Sequence, residues 1–213
     1  MRNSNRLPRD FFAAPPLQVA RQLLGTRLVR LDGERPDRTP KRLAGLITET
    51  EAYCGEEDLA CHARAGRTPR TAVMYDSPGH AYVYFTYGMH WMLNFVVQPV
   101  DLPAAILIRG VLPVEGLEII ASRRQSRPQE QWTNGPGKIC RAFNIDGSLN
   151  GFDLCASDSV LFIEAGLAVP DSIMKITPRI GIDSVPEPWK SKPWRFTVSY
   201  RDLRQHFTSD SIY

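Results

Sequence analysis

The chain has few cysteines: four in 213 residues, Cys54, Cys61, Cys140 and Cys155, with no CxxC pair among them. So sparse a set excludes a disulfide-stapled scaffold and leaves reduced thiols in a cytoplasmic compartment as the simplest expectation. Cys54, Cys61 and His62 lie near one another, but no fourth ligand stands at finger-like spacing, so no structural metal is expected. Long apolar runs are absent, which excludes a helical membrane span. The basic start, residues 1–8, has no apolar stretch behind it that would make a secretory signal. An excess of charge of one sign is also lacking. Lysine and arginine number 26 against 23 acids, a net charge of +3, so composition permits a polyanionic partner without demanding one. There is no internal repeat and no low-complexity tract. GxSxG, HExxH and GxGxxG are all missing, which removes support for a serine hydrolase, a zinc protease or a dinucleotide enzyme. Asn134-Gly135-Pro136-Gly137-Lys138 lacks both the spacing of a nucleotide-binding loop and its following hydroxyl residue; a backbone phosphate at a helix start is the alternative use.

What is present suits one domain. A chain of this length, 43% apolar and 23% charged, buries roughly 70% of its unfolded surface around a single core. Segments 1–10, 32–41 and 122–133 are expected to be flexible, with the folded domain spanning 11–213. Pro15 and Pro16 suit a first helical turn, Leu17, Ala20, Leu23 and Leu24 keep helical spacing, and Gly25 fits the stop. Strands are expected over 26–31, 43–53 and 104–109, helices over 114–123 and 136–143, and further strands over 176–182 and 194–200. Residues 80–98 are dense in aromatic and β-branched side chains with Tyr87-Gly88 as the only turn signal, the pattern of a hairpin. The expected fold is mixed α/β (α+β), a single compact domain around a largely antiparallel sheet with surrounding helices.

Two acids stand out. Period-two geometry over 43–53 places Ile47, Glu49, Glu51 and Tyr53 on one face, and two carboxylates that close repel, raising the pKa of at least one into the range of a general acid or base. A solvent-facing strand with alternating polar residues would read the same way. Tyr53, His62, Tyr82, Tyr84, Tyr87, His90 and Trp91 fall within a short span, and flat ring surfaces beside an acid suit an extracted nucleobase, although aromatic hairpins also serve as core. Tyr87, next to the turn glycine, should point outward; it is either a wedge between base steps or an idle turn residue. Arg64, Arg67 and Arg70, and then Arg123, Arg124 and Arg127, form two basic clusters that fit phosphate or plain solvated surface.

Taken in order, Glu49-Thr50-Glu51-Ala52-Tyr53, Asp58 through His62, Arg67-Thr68-Pro69-Arg70, Met74, Tyr82-Val83-Tyr84, Tyr87-Gly88-Met89, Asn94 and Ile108-Arg109 resemble the alkyladenine (3-methyladenine) DNA glycosylase family. The likeness continues through Pro113-Val114-Glu115-Gly116 and Asn134 to Lys138 as far as Arg179-Ile180-Gly181, nearly the whole chain from Phe11 onward. The resemblance implies that the hairpin protrudes and inserts into DNA, with Tyr87 entering the minor groove. It implies that Glu51 deprotonates an attacking water, and that Arg109 helps hold that water. Tyr53, His62 and Tyr84 are then walls that sandwich an extruded base, Asn94 disfavours a normal guanine, and Arg67, Thr68, Met89 and His90 contact DNA. The implied reaction is excision of alkylated or deaminated purines from double-stranded DNA by hydrolysis of the N-glycosidic bond, by a monomer without metal or organic cofactor and without lyase activity. His90 stands where some relatives carry tyrosine, and Pro99 and Pro103 alter the link from Asn94 to Arg109. A carboxylate such as Asp58 is the expected partner of a buried His62. The rival readings are a non-catalytic domain that binds distorted duplex or structured RNA, and a metal-dependent hydrolase of a small molecule.

Overall fold

A computed structural model of the chain describes residues 5–33, 40–125 and 127–207. Its strands are β1 (Arg27–Asp32), β2 (Lys41–Cys54), β3 (Ala81–Thr86), β4 (His90–Val97), β5 (Ala104–Glu115), β6 (Leu161–Glu164), β7 (Lys175–Thr177) and β8 (Arg195–Thr197). Its helices are α1 (Arg9–Phe12), α2 (Pro16–Gln22), α3 (Leu117–Arg123), α4 (Pro136–Phe143) and α5 (Tyr200–His206). The strands form one antiparallel sheet in the order β3-β4-β5-β2-β1-β6. Strand β2 is long enough for its free edge to take two partners: β1 along its first half and β8, with β7 beyond, along its second. The α+β architecture expected from the sequence is therefore the one observed. Among the described residues, no helix is long and apolar enough to cross a membrane.

Helix α2 starts on Pro16, whose missing N–H is no loss in a first turn, and buries Val19 and Ala20 against the sheet. After it the chain reverses at Gly25, with φ +81°, where a side chain would run into the carbonyl of Leu167. Helix α4 turns Ile139, Cys140, Ala142 and Phe143 inward. These residues join Leu93, Phe95, Ile106, Ile108 and Ile47 in the principal core on the helical face of the sheet. The opposite face carries a smaller apolar cluster of Cys61, Ala63, Met74, Tyr75, Tyr82, Val96 and Ala105, flanked by Tyr53 and Tyr84.

Strict alternation along β2 fails at one place. Ile47 and Ala52, five residues apart, lie in the same core, so the strand changes parity between them. Register shifts at Thr48 on β2 and Arg109 on β5 produce the change, a pair of bulges facing each other. Ile47 therefore does not share a face with Glu49, Glu51 and Tyr53. Gly110 makes this possible, because a side chain there would collide with Thr48 Oγ1 and Glu49 Cβ.

Several boundaries depart from expectation. Strand β5 runs on to Glu115, so the helix begins only at Leu117, after Gly116 in the left-handed region. The segment read as a strand over 176–182 leaves the sheet after Thr177, and that over 194–200 gives way to α5, capped by Ser199. Of the segment expected to be flexible at the start, residues 1–4 lie outside the described residues. The rest is tied down: Leu7 N donates to Ile163 O, Arg6 donates to Ala156 O and Arg9 pairs with Asp153. Residues 34–39 and 126, within the other two expected loops, also lie outside the description. The remainder of 122–133 includes a short turn at Gln129–Gln131 and a hydrogen bond from Thr133 Oγ1 to Val111 O.

Candidate active site

The paired bulges bring three carboxylate and guanidinium side chains onto the face away from the main core. Glu51 is fully buried, yet its carboxylate is surrounded by donors rather than by hydrocarbon. Ile180 N donates to Oε1 at 2.7 Å, Tyr53 OH to Oε2 at 2.9 Å, and Arg109 lies 3.3 and 3.4 Å from the two oxygens. Arg109 Nε also donates to Glu49 Oε1 at 3.1 Å, and Arg195 Nε donates to the same oxygen at 2.7 Å. The pKa of Glu51 is raised, as expected, but for a different reason. Burial is the main cause, Arg109, Ile180 and Tyr53 oppose it, and repulsion from Glu49, which is itself paired with two arginines, comes last.

Over this group lies a cavity of about 360 Å³, within the range typical of small-ligand sites. The three residues that donate to Glu51, namely Tyr53, Arg109 and Ile180, all line it, so the carboxylate sits directly behind its wall. His62, Tyr84 and Asn94 line it as well, together with Tyr82, Met74 and Leu107. The rings of His62 and Tyr84 meet edge to face at 4.6 Å between centroids. A planar base stacked on both needs about 3.5 Å on each side, roughly 7 Å in all, so one of these two rings must turn before a base can lie between them. Burial and the guanidinium groups of Arg70 and Arg64 push the His62 imidazole down to about 4, leaving it neutral at physiological pH. His62 Nδ1 bonds Tyr82 OH at 2.9 Å, not the expected carboxylate.

Asp58 has another partner. It forms a fully buried two-pronged ion pair with Arg179, at 2.5 and 2.9 Å, and accepts from Cys54 N and Ala60 N. Arg179 also donates to Ala52 O and lies over the rings of Tyr53, at 4.7 Å, and Trp194, at 5.0 Å. This one guanidinium thus ties together the end of β2, the loop leading to His62 and the segment that presents Ile180 N to Glu51. The sequence reading assigned it no role, since a residue in an expected strand gave no sign of crossing to the site. Its place in Arg179-Ile180-Gly181 was the only available signal.

The hairpin of β3 and β4 places the remaining residues. Thr86 O accepts from Met89 N across a turn in which Tyr87 and Gly88 both have positive φ, 51° and 66°. Tyr87, a bulky residue in the left-handed region, lines the mouth of the cavity and is 79% exposed, and Met89 is 67% exposed. The His90 side chain is exposed and packs against Gly137 at the start of α4. Asn94 is buried and donates from Nδ2 to Tyr82 O at 3.1 Å, which fixes its carboxamide at the cavity wall. Arg67 is exposed but near Asp101 and Asp76, and the Thr68 hydroxyl bonds Thr71, so both residues of that cluster already have local partners. Arg70 lies over the Tyr84 ring at 5.3 Å. Arg123 is bound to Asp32, which removes it from the second basic cluster.

Among the described residues, no three His, Cys, Asp or Glu side chains are placed to hold a metal ion. The Cys54 and Cys61 thiols are pushed up to about 12, chiefly by burial, so neither presents a ready thiolate.

The family model for methylpurine-DNA glycosylase (MPG) matches residues 10–202. A protein of Methanocella arvoryzae named "Putative 3-methyladenine DNA glycosylase" is 49% identical over 191 residues, covering 89% of this chain and 90% of its own. Proteins of the same name from Myxococcus xanthus and Desulfitobacterium hafniense are 44% and 43% identical, over 91% and 90% of this chain and 90% and 94% of their own. With a match that takes in the bulged strands, the hairpin and the Arg179 segment alike, the chain belongs to the methylpurine-DNA glycosylase family.

Proposed function

We propose that the protein is a monofunctional DNA glycosylase that takes alkylated or deaminated purines out of duplex DNA into the aromatic cavity and hydrolyses the N-glycosidic bond with water activated by Glu51. The observation that carries this reading is the buried carboxylate directly behind the cavity wall, held by Tyr53, Arg109 and Ile180 N. Alkylation at N3 or N7 leaves a purine with positive charge. Ring faces such as Tyr84 attract it by about 0.5–2 kcal/mol, while its extrusion costs least where pairing is already poor. A neutral His62 adds no opposing charge.

In the reaction, the bond from C1′ to the purine nitrogen breaks and its electron pair leaves with the base, neutralising a cationic lesion. Water forms the new bond to C1′ and gives its proton to Glu51, whose charge also stabilises the oxocarbenium character of the sugar. The contacts of Arg109 with both oxygens of Glu51, at 3.3 and 3.4 Å, are the longest the carboxylate makes, so this side is where a water is best admitted. Among the described residues no lysine lines the cavity, in keeping with hydrolysis that needs no Schiff base or strand cleavage. In this reading Asn94, fixed by Tyr82 O, disfavours the exocyclic amine of a normal guanine. Damaged duplex is the substrate in this reading, and the protein acts as a monomer.

Because Glu51 must be ionised and burial raises its pKa, the rate is expected to climb with pH through a midpoint above the ordinary carboxylate range. Single-turnover release measured against pH should show this acid limb, and His62→Gln should leave its midpoint in place. A limb that moves with the His62 substitution would assign it to the wrong group. The exposed wedge gives another expectation. Tyr87→Ala should weaken capture of the flipped nucleotide, lowering duplex affinity and single-turnover rate together, by about tenfold if the wedge is worth 1.4 kcal/mol. Unchanged affinity and rate would leave Tyr87 an ordinary turn residue.

A further inference from the structure

The hairpin that carries Tyr87 has a second face. Across the start of α4 from the base cavity, where Pro136 lines the cavity and Gly137 the cleft, Met89, His90 and Trp91 look into a cleft of about 670 Å³ whose other walls come from the end of α3 and from α4. Its cations are Arg124, Lys138 and Arg141. Among the described residues its one carboxylate, Asp146, accepts two hydrogen bonds from Ser148.

These cations differ from others in the chain. Arg9, Arg42, Arg109, Arg123 and Arg195 each have a carboxylate within 3.1 Å. Arg124 and Arg141 have none among the described residues, and the shielded Nε of Arg124 has no hydrogen-bond partner there. Lys138 Nζ donates to the neutral Asn134 side chain at 2.7 Å, its one partner among the described residues. Burial together with the nearby charges of Arg141 and Arg127 lowers the Arg124 pKa, so the cations repel one another in the free protein. Uncompensated like charge around a concave surface is the arrangement that a polyanion relieves.

Position says which polyanion. The minor groove of B-form DNA is about 6 Å wide with a sugar–phosphate backbone along each side. A hairpin tip inserted where a nucleotide has left the stack has the lesion strand on its cavity face. The strand that keeps its bases then runs along the other face, where the cleft lies. Resting on the glycosylase reading above, we propose that the cleft formed by α3, α4 and the outer face of the hairpin seats backbone phosphates of the unlesioned strand. The duplex is then gripped on both sides of the wedge, and the complementary strand stays fixed while the damaged nucleotide rotates out.

The test uses the double variant R124A/R141A with a duplex and with the same lesion-bearing oligonucleotide as a single strand. Affinity is read by anisotropy across a salt series, and base release from both substrates is measured beside it. Each phosphate contact contributes about 0.9 to the slope of log affinity against log salt, so the duplex slope should become shallower by about two, with affinity falling on the order of tenfold or more. Binding to, and release from, the single strand should be unchanged, as should the melting temperature. Methylphosphonate linkages in the unlesioned strand should reproduce the shallower slope with the wild-type protein, whereas the same linkages in the lesion strand should leave the difference between wild type and variant intact. An unchanged duplex slope, or equal losses on both substrates, would overturn the proposal. A wild-type protein that releases no base from either substrate would sink the glycosylase reading instead, while the duplex slope would still decide the cleft.

Discussion

Glu51→Gln is expected to slow single-turnover release of 3-methyladenine from methylated duplex by about 10²- to 10⁴-fold, the contribution typical of a positioned general base. The substitution keeps the size of the side chain and an acceptor for Ile180 N, and it leaves Arg109 paired with Glu49. The cavity should therefore persist, and binding to a duplex containing an abasic-site analogue should be little changed. Stability gives an independent control. A carboxyl whose folded pKa lies above its unfolded value contributes stability below the unfolded pKa and loses that contribution as pH rises through the folded value. At neutral pH the ionised Glu51 is thus a burden on the fold offset by its donors, and the amide variant should not melt early. A variant that bound the analogue and released the base at the wild-type rate would remove Glu51 from the chemistry.

Loss of the Arg179–Asp58 pair should have the largest effect on the fold. Both side chains are completely buried, and removing one leaves the other as an uncompensated charge, a loss that typically costs about 3–5 kcal/mol. For a domain near this size each kcal/mol lowers the melting midpoint by roughly 2–4 °C, so Arg179→Ala and Asp58→Asn should be plainly visible in thermal unfolding. Arg179→Lys keeps the charge and gives up the two-pronged geometry, and it should fold with a smaller loss. Because Arg179 immediately precedes the Ile180 N–H that donates to Glu51, the lysine variant should also shift the acid limb of the rate profile upward as that donor loosens. A lower melting temperature with an unmoved limb would make the pair structural only.

The hairpin was legible because its turn chemistry is local. Tyr87-Gly88 between two aromatic runs specifies both the reversal and the exposure of the tip. The placement of Glu49, Glu51 and Tyr53 on one face followed from period two, but that of Ile47 did not, since a bulge is decided by a partner strand sixty residues away whose Gly110 admits it. The raised pKa of Glu51 was anticipated on the wrong ground. Repulsion between two acids is visible in a sequence, whereas the burial that dominates, and the arginines that neutralise Glu49, exist only in the fold. His62 illustrates the same limit: a nearby aspartate looked like its partner, but Asp58 is engaged by an arginine 121 residues further on and the imidazole turns to Tyr82. The basic cluster at the end of α3 was mixed in kind. Arg123 serves the fold through Asp32, while Arg124 joins Arg141, a neighbour contributed by a different helix.

The product made by the wild-type protein tests the central claim most directly. Incubated with a methylated duplex, it should yield free methylpurine and a strand that stays intact until alkali is added, and a parallel incubation containing borohydride should leave no protein joined to DNA. Absence of released purine, or a trapped protein–DNA adduct with enzymatic cutting of the strand, would contradict hydrolysis directed by Glu51.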